Sequence, residues 1–139
     1  MERAEMDRLI EEHIAAESAG DTAGAVAMYT DDVVHDVVGA SHGPLHGVAA
    51  AQGFYDHLTA NVTTGTMVPT RSYYGDDFCV IEHDFTGAVP GEFVGIPGRG
   101  RAVAFRMLHV WEFRDGRISR EQVWLDGGAI AAQLTAPEA

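Results

Sequence analysis

Positive charge is scarce in this chain: nine lysines and arginines stand against 21 acidic residues, a net charge of -12. A nucleic-acid backbone or an anionic membrane surface would repel such a protein unless its basic residues were clustered, and they are scattered. Cysteine is nearly absent. The single Cys79 excludes an intrachain disulfide and a cysteine-based zinc site, and its setting in Phe78-Cys79-Val80-Ile81 predicts burial. No apolar run approaches the roughly 20 residues that cross a bilayer, and the charged N-terminal stretch has no signal-like apolar segment. A soluble, cytoplasmic protein is expected, with no membrane and no nucleic acid among its partners. At 139 residues it is expected to be one domain, 1-139. Internal repeats and low-complexity tracts are missing. Neither Ser41 nor Ser119 has a Gly-x-Ser-x-Gly context, and there is no nucleotide-binding loop, so a serine hydrolase and a nucleotide enzyme are not supported.

What is present falls into two halves. From Glu2 to Ala19, Met6, Leu9, Ile10 and Ile14 recur at helical spacing and Gly20 closes the segment. Asp21 is placed to cap a short second helix carrying Val26, Met28 and Tyr29, and Asp31-Asp32 mark the turn into a strand from Val33 to Val38. Gly39 to Gly47 is a loop, and Val48, Ala51, Phe54, Tyr55 and Leu58 give a third amphipathic helix. Strands follow around Met67 to Tyr74, Phe78 to Thr86, Arg101 to Phe113 and Ile118 to Leu125, with turns at Gly75-Asp76-Asp77 and Arg114-Asp115-Gly116. Helices first and a meander afterwards predict an α+β fold, three N-terminal helices packed on an antiparallel sheet. The glycine- and proline-rich stretch Gly87 to Gly100 reads as a long loop, of a length that is usually functional or mobile, and a lid over a pocket is one role open to it.

Period-two alternation puts Val103, Phe105, Met107, His109, Trp111 and Phe113 on one strand face, so His109 turns inward among apolar side chains. His13 sits in the apolar stripe of the first helix, and His83 shares a face with Ile81 and Phe85. A core histidine bonded to backbone is the bland reading of each. Three in one small core are hard to satisfy without a polar cavity, because an unpaired buried ring nitrogen costs roughly a few kcal/mol. Glu82, Asp84 and Thr86 read as the sheet's outer face, and Arg114, Arg117 and Arg120 with Asp115 and Glu121 as a charged hairpin surface. No His-x-x-x-His spacing occurs, so no metal site is expected.

Three stretches carry a family resemblance: AGDTAGAVAMYTDDVVHDVVG (19–39), GPLHGVAAAQGFYDHL (43–58) and LHVWEFRDGRISREQVWLD (108–126). In order they resemble the ketosteroid isomerase and SnoaL-like branch of the nuclear transport factor two-like superfamily, over nearly the whole chain. The resemblance implies a strongly curved sheet, a cystatin-like cone or α+β barrel, and a pairing of two copies as a homodimer. It also implies that Asp36 takes the place of the isomerases' general base. The chain is one residue shorter than the isomerases between Asp32 and His35, and a slip there turns His35 to the pocket instead. The isomerases' two oxyanion donors, a tyrosine and a protonated aspartic acid, become His13 and His109 here. Asp126 matches the essential aspartate that SnoaL-like cyclases and limonene epoxide hydrolases carry at the end of the last strand.

These expectations combine into a small-molecule acid/base enzyme, a cofactor-independent isomerase or aldol-type polyketide cyclase. It would act on an apolar carbonyl compound through an enolate. Asp36 takes the proton, His109 and His13 hold the enolate oxygen, and Asp126 or His83 returns the proton. Phe54, Tyr55, Phe85, Phe105, Met107, Trp111 and Trp124 line the pocket. The alternatives are an epoxide hydrolase-like enzyme, with Asp126 activating water, and a non-catalytic small-molecule binding module.

Overall fold

The computed structural model describes residues 1–138. Helix α1 (Arg3–Ser18) buries Met6, Leu9, Ile10 and His13, one face at i, i+3, i+4 and i+7 spacing. Gly20, at φ 76°, reverses the chain, and the Asp21 carboxylate caps α2 (Thr22–Val26) by accepting from Gly24 N. That helix is too short to hold Tyr29, which instead opens strand β1 (Tyr29–Val37). β2 (Leu45–His46) and α3 (Val48–Asn61) follow. The remaining strands are β3 (Thr63–Tyr74), β4 (Phe78–Val89), β5 (Glu92–Phe93), β6 (Ile96–Pro97), β7 (Arg101–Arg114) and β8 (Arg117–Leu125). A last helix, α4 (Gly127–Thr135), closes the chain.

The fold is α+β, but the sheet is mixed and not purely antiparallel. Its order is β2-β1-β8-β7-β4-β3, and β1 runs parallel to β8 while the other pairs are antiparallel. Hairpin signals report only strands adjacent in sequence. The β1–β8 pair joins strands separated by α3 and the whole meander, a connection long enough to allow parallel pairing. The helix at the C-terminal end is also an addition to the three expected. Gly127-Gly128 reads as a turn, yet Asp126 caps a helix whose Ile130 and Leu134 are buried with Val103 and Phe105.

The glycine-rich stretch is more ordered than a loop. β4 runs on to Val89, and β5 and β6 pair as a small hairpin turning at Val94-Gly95, both with positive φ. Bulges interrupt the β3 ladder between Thr64 and Thr66 and between Pro69 and Arg71, which bends this edge strand. Two apolar clusters result. One packs α1, Tyr29, Tyr55, Trp111 and the buried Cys79; the other gathers Phe85, Val89, Phe105 and α4.

Candidate active site

A cavity of about 1090 Å³ is lined from both clusters, by Phe54, Tyr55 and Leu58 of α3, Met67, Phe85, Phe105 and Met107 of the sheet, and Phe93 of the β5–β6 hairpin. The polar residues on this wall include Glu17, His35, Tyr55, His109 and Glu121.

Glu121 is the centre of the polar group. On β8, Glu121, Val123 and Leu125 alternate onto the cavity side while Arg120, Gln122 and Trp124 turn away, and the Glu121 carboxylate is 1% exposed. Tyr29 donates its hydroxyl to Glu121 Oε1 at 2.5 Å. The Tyr55 hydroxyl lies 3.1 Å from Glu121 Oε2, 2.9 Å from His35 Nε2, 3.2 Å from His13 Nε2 and 3.1 Å from the Tyr29 oxygen. A phenol has one proton to donate, so Tyr55 is the junction at which these groups share protons. His13 Nδ1 donates to the Ala25 carbonyl at 2.7 Å, which leaves Nε2 to face Glu121 at 3.3 Å and Glu17 at 3.5 Å. His109 Nε2 is 3.7 Å from Glu121 Oε2, and His109 stacks on Trp111 with centroids 5.2 Å apart.

Electrostatics sorts the four buried histidines into two kinds. Burial works against a charge on His13, but Glu121, then Glu17 and the Ala25 carbonyl, outweigh it and raise its pKa to about 9. Burial opposes ionisation of Glu121 as well; His13, His35, His109 and the Tyr29 hydroxyl together hold it below the ordinary carboxylate value. His109 is driven by burial to about 3 despite the attraction of Glu121, and burial lowers His35 and His83 too. Tyr29 and Tyr55 are raised well above the phenol value by burial and by the carboxylate. At neutral pH the site is therefore a Glu121 carboxylate and a His13 imidazolium, flanked by neutral imidazoles and neutral phenols. The Nδ1 atoms of His35, His83 and His109 have no protein partner.

The structure moves several expected site residues. Asp36 does not face the cavity: Val33, His35 and Val37 turn inward, and Asp36 lies on the opposite face with Arg120 Nη2 at 3.4 Å and Gln122 Nε2 at 3.2 Å. The register that turns His35 inward is the one adopted. Asp126 is not on the cavity wall either, because its carboxylate accepts from Ala129 N at 3.0 Å as the α4 cap. Water activation by Asp126 loses its geometric basis there. His13 packs beneath Tyr55 and is not itself on the wall, and His83 lies behind His109 with ring centroids 5.2 Å apart. Trp111 is buried core and Trp124 is turned outward and half-exposed, donating to Gln122, so neither lines the cavity. Phe54, Tyr55, Phe85, Phe105, Met107 and His109 do line it.

Three participants have little signal in the sequence. Glu121 reads as a surface charge of its hairpin, although Val123 and Leu125 on an inward face put the residue two before Val123 inward as well. Tyr29 falls in the stretch that reads as the second helix, and Glu17 has no signal beyond its place four residues after His13. Among the described residues no helix is long and apolar enough to cross a membrane.

A SnoaL-like domain profile matches residues 10–121. Among curated protein sequences none matches the chain. Solved structures of the same fold include TsrD from Streptomyces laurentii, at 20% identity and TM-score 0.83, with 99% of each chain covered. A predicted polyketide cyclase from Xanthomonas campestris pv. campestris has 20% identity and TM-score 0.80, covering 96% of this chain and 98% of that one. An LEH-like epoxide hydrolase from M. tuberculosis has 20% identity and TM-score 0.73, covering 94% and 90%. At such identities the likeness establishes the shared fold.

Proposed function

The chain belongs to the SnoaL-like domain family, and from that premise we propose that it is a cofactor-independent acid/base enzyme that enolises an apolar carbonyl compound. One observation carries the reading: an ionised carboxylate, Glu121, is buried on the wall of an apolar cavity and joined through the Tyr55 hydroxyl to a neutral histidine, His35, on the same wall. A pure binding module has no use for such a costly group.

In this mechanism Tyr55 donates to Glu121 and accepts from His35 Nε2–H, which leaves His35 Nδ1, unpartnered and set just behind the wall, as the basic atom that the substrate must reach. The substrate's Cα–H proton passes to His35 while the C–H electron pair moves into the enolate. The imidazolium that forms is stabilised by Glu121, whose Oε2 is 3.9 Å from Nε2. His109, kept neutral, offers an N–H to the developing oxyanion without giving up its proton. Return of the proton to another carbon completes an isomerisation. Attack of the enolate carbon on a second carbonyl of the same molecule, with His35 protonating the new alkoxide, completes an aldol cyclisation. Both outcomes regenerate the neutral base.

The test is hydrogen–deuterium exchange at the α-carbon of 2-tetralone, a compact apolar ketone, followed by proton NMR in heavy water. Exchange above the buffer rate is expected for the wild-type chain and not for His35→Gln. Equal rates for the two proteins would overturn the assignment.

A further inference from the structure

The charges around the cavity do not balance. The sequence has no lysine, and none of its nine arginines reaches the cavity wall. The cation beside the wall is His13, and two carboxylates share it, Glu121 at 3.3 Å and Glu17 at 3.5 Å. Two negative charges against one positive leave this group with a net charge of one negative. Glu17 faces the cavity with its side chain only 20% exposed, so water does not fully compensate it. Glu92 adds a further acid to the wall, next to His57.

A second observation points to a ligand. His35 and His109 are both more than nine-tenths buried and both stand on the wall, and the Nδ1 of each, closed off from solvent just behind it, has no protein partner. Unpartnered buried nitrogens are costly in a site that stays empty and useful in one that receives a polar group.

We infer that this cavity takes an apolar molecule carrying a protonated amine, whose ammonium is held beside Glu17, and that it rejects carboxylates, phosphates and substrates tethered to a phosphorylated carrier. The inference rests on the cavity being the substrate site proposed above. It narrows the substrate to amine-bearing carbonyl compounds, in which the carbon end meets His35 and the cationic end satisfies the unshared carboxylate.

The cavity supplies its own reporters, since Met67 and Met107 line it while Met6 and Met28 do not. With methyl-labelled methionines, three probes on one ring system are titrated by NMR: 1-naphthylmethylamine, 1-naphthalenemethanol and 1-naphthoate. The amine should shift Met67 and Met107 with a Kd about tenfold or more below that of the alcohol, and the naphthoate should cause no shift. In Glu17→Gln the amine and alcohol should converge to within about twofold. Ser18→Arg, which adds a cation at another wall position, should weaken the amine and admit the naphthoate, and it serves if Glu17→Gln fails to fold. Naphthoate binding as tightly as the alcohol would overturn the inference, as would an amine preference that survives Glu17→Gln or that moves no cavity methionine. The 2-tetralone exchange needs no amine. Exchange dependent on His35 without an amine preference would sink this inference alone, and an amine preference without exchange would sink the enolisation reading alone.

Discussion

His13 Nε2 on α1 faces Glu121 Oε1 on β8 at 3.3 Å, with both side chains closed off from solvent. Such a pair loses hydration on both sides, and its mutual attraction offsets that loss only when the remaining polar atoms are satisfied. Here they are. Tyr29 and Tyr55 donate to the carboxylate, and the Ala25 carbonyl takes the other imidazole N–H. The pair ties the first helix to the last strand and fixes where negative charge sits in the cavity.

Glu121→Gln should therefore act on stability and activity together. Removing the carboxylate leaves His13 with Glu17 as its only acidic neighbour, and breaking a buried pair costs about 3 kcal/mol or more. Chemical denaturation should show that loss. Exchange of 2-tetralone should fall by about 100-fold or more, because the His35 imidazolium loses its counter-charge. Unchanged exchange in a folded Glu121→Gln protein would remove Glu121 from the chemistry.

Stability should peak near neutral pH. The pKa of His13 is raised from 6.5 to about 9, so its contribution is complete below pH 6.5 and is lost as pH rises through 9. The size of that loss is about 3 kcal/mol. On the acid side the sign reverses. His109 is lowered to about 3 and Glu121 is lowered below 4.5, so their contributions are present above the unfolded values and disappear as pH falls through the folded ones. Thermal melts from pH 4 to 10 should trace a dome, and His13→Asn should flatten its alkaline limb. An alkaline limb identical in His13→Asn would show that another group titrates there.

The two neighbours His35 and Asp36 should separate cleanly. Asp36 sits on the outer face with Arg120 and Gln122, a partly exposed pairing of the kind worth at most about 1 kcal/mol. Asp36→Ala should retain wild-type exchange and lose no more than that in stability. His35→Gln should lose about 100-fold or more in exchange. If Asp36→Ala is the inactive protein, the strand register described here does not operate in catalysis.

The sequence made the elements legible because each has a period. His109 follows from alternation along β7, and α1 from the spacing of Met6, Leu9 and Ile10. The site was less legible because its members come together through contacts with no local trace. The parallel pairing of β1 with β8 sets Asp36 beside Gln122 and His35 beside Glu121, and nothing within either strand announces it. Asp126 illustrates the opposite hazard. An acid at the end of a strand matched a family position, yet the same residue type is what a following helix needs as its cap. Glu121 stayed hidden because charged hairpins are normally surface, and its burial is tolerable only with His13, Tyr29 and Tyr55 supplied from three other elements.

The two tyrosines on Glu121 should differ in what they do. Tyr29 donates to Oε1 but touches no cavity histidine, whereas Tyr55 alone bridges Glu121 and His35. Both Tyr→Phe changes delete a buried hydrogen bond to a charged group, at a cost of about 1.5–3 kcal/mol in stability. Their kinetics should diverge. Tyr55→Phe leaves His35 without the acceptor that fixes its tautomer, so exchange should fall by about tenfold or more, and the pH at which exchange is half-maximal should move. Tyr29→Phe should stay within about threefold of wild type at neutral pH, because Tyr55 and His13 still hold the carboxylate ionised. Measuring exchange against pH for both variants decides the matter: equal losses would mean that the tyrosines serve only to hold Glu121 in place, with no proton path through Tyr55.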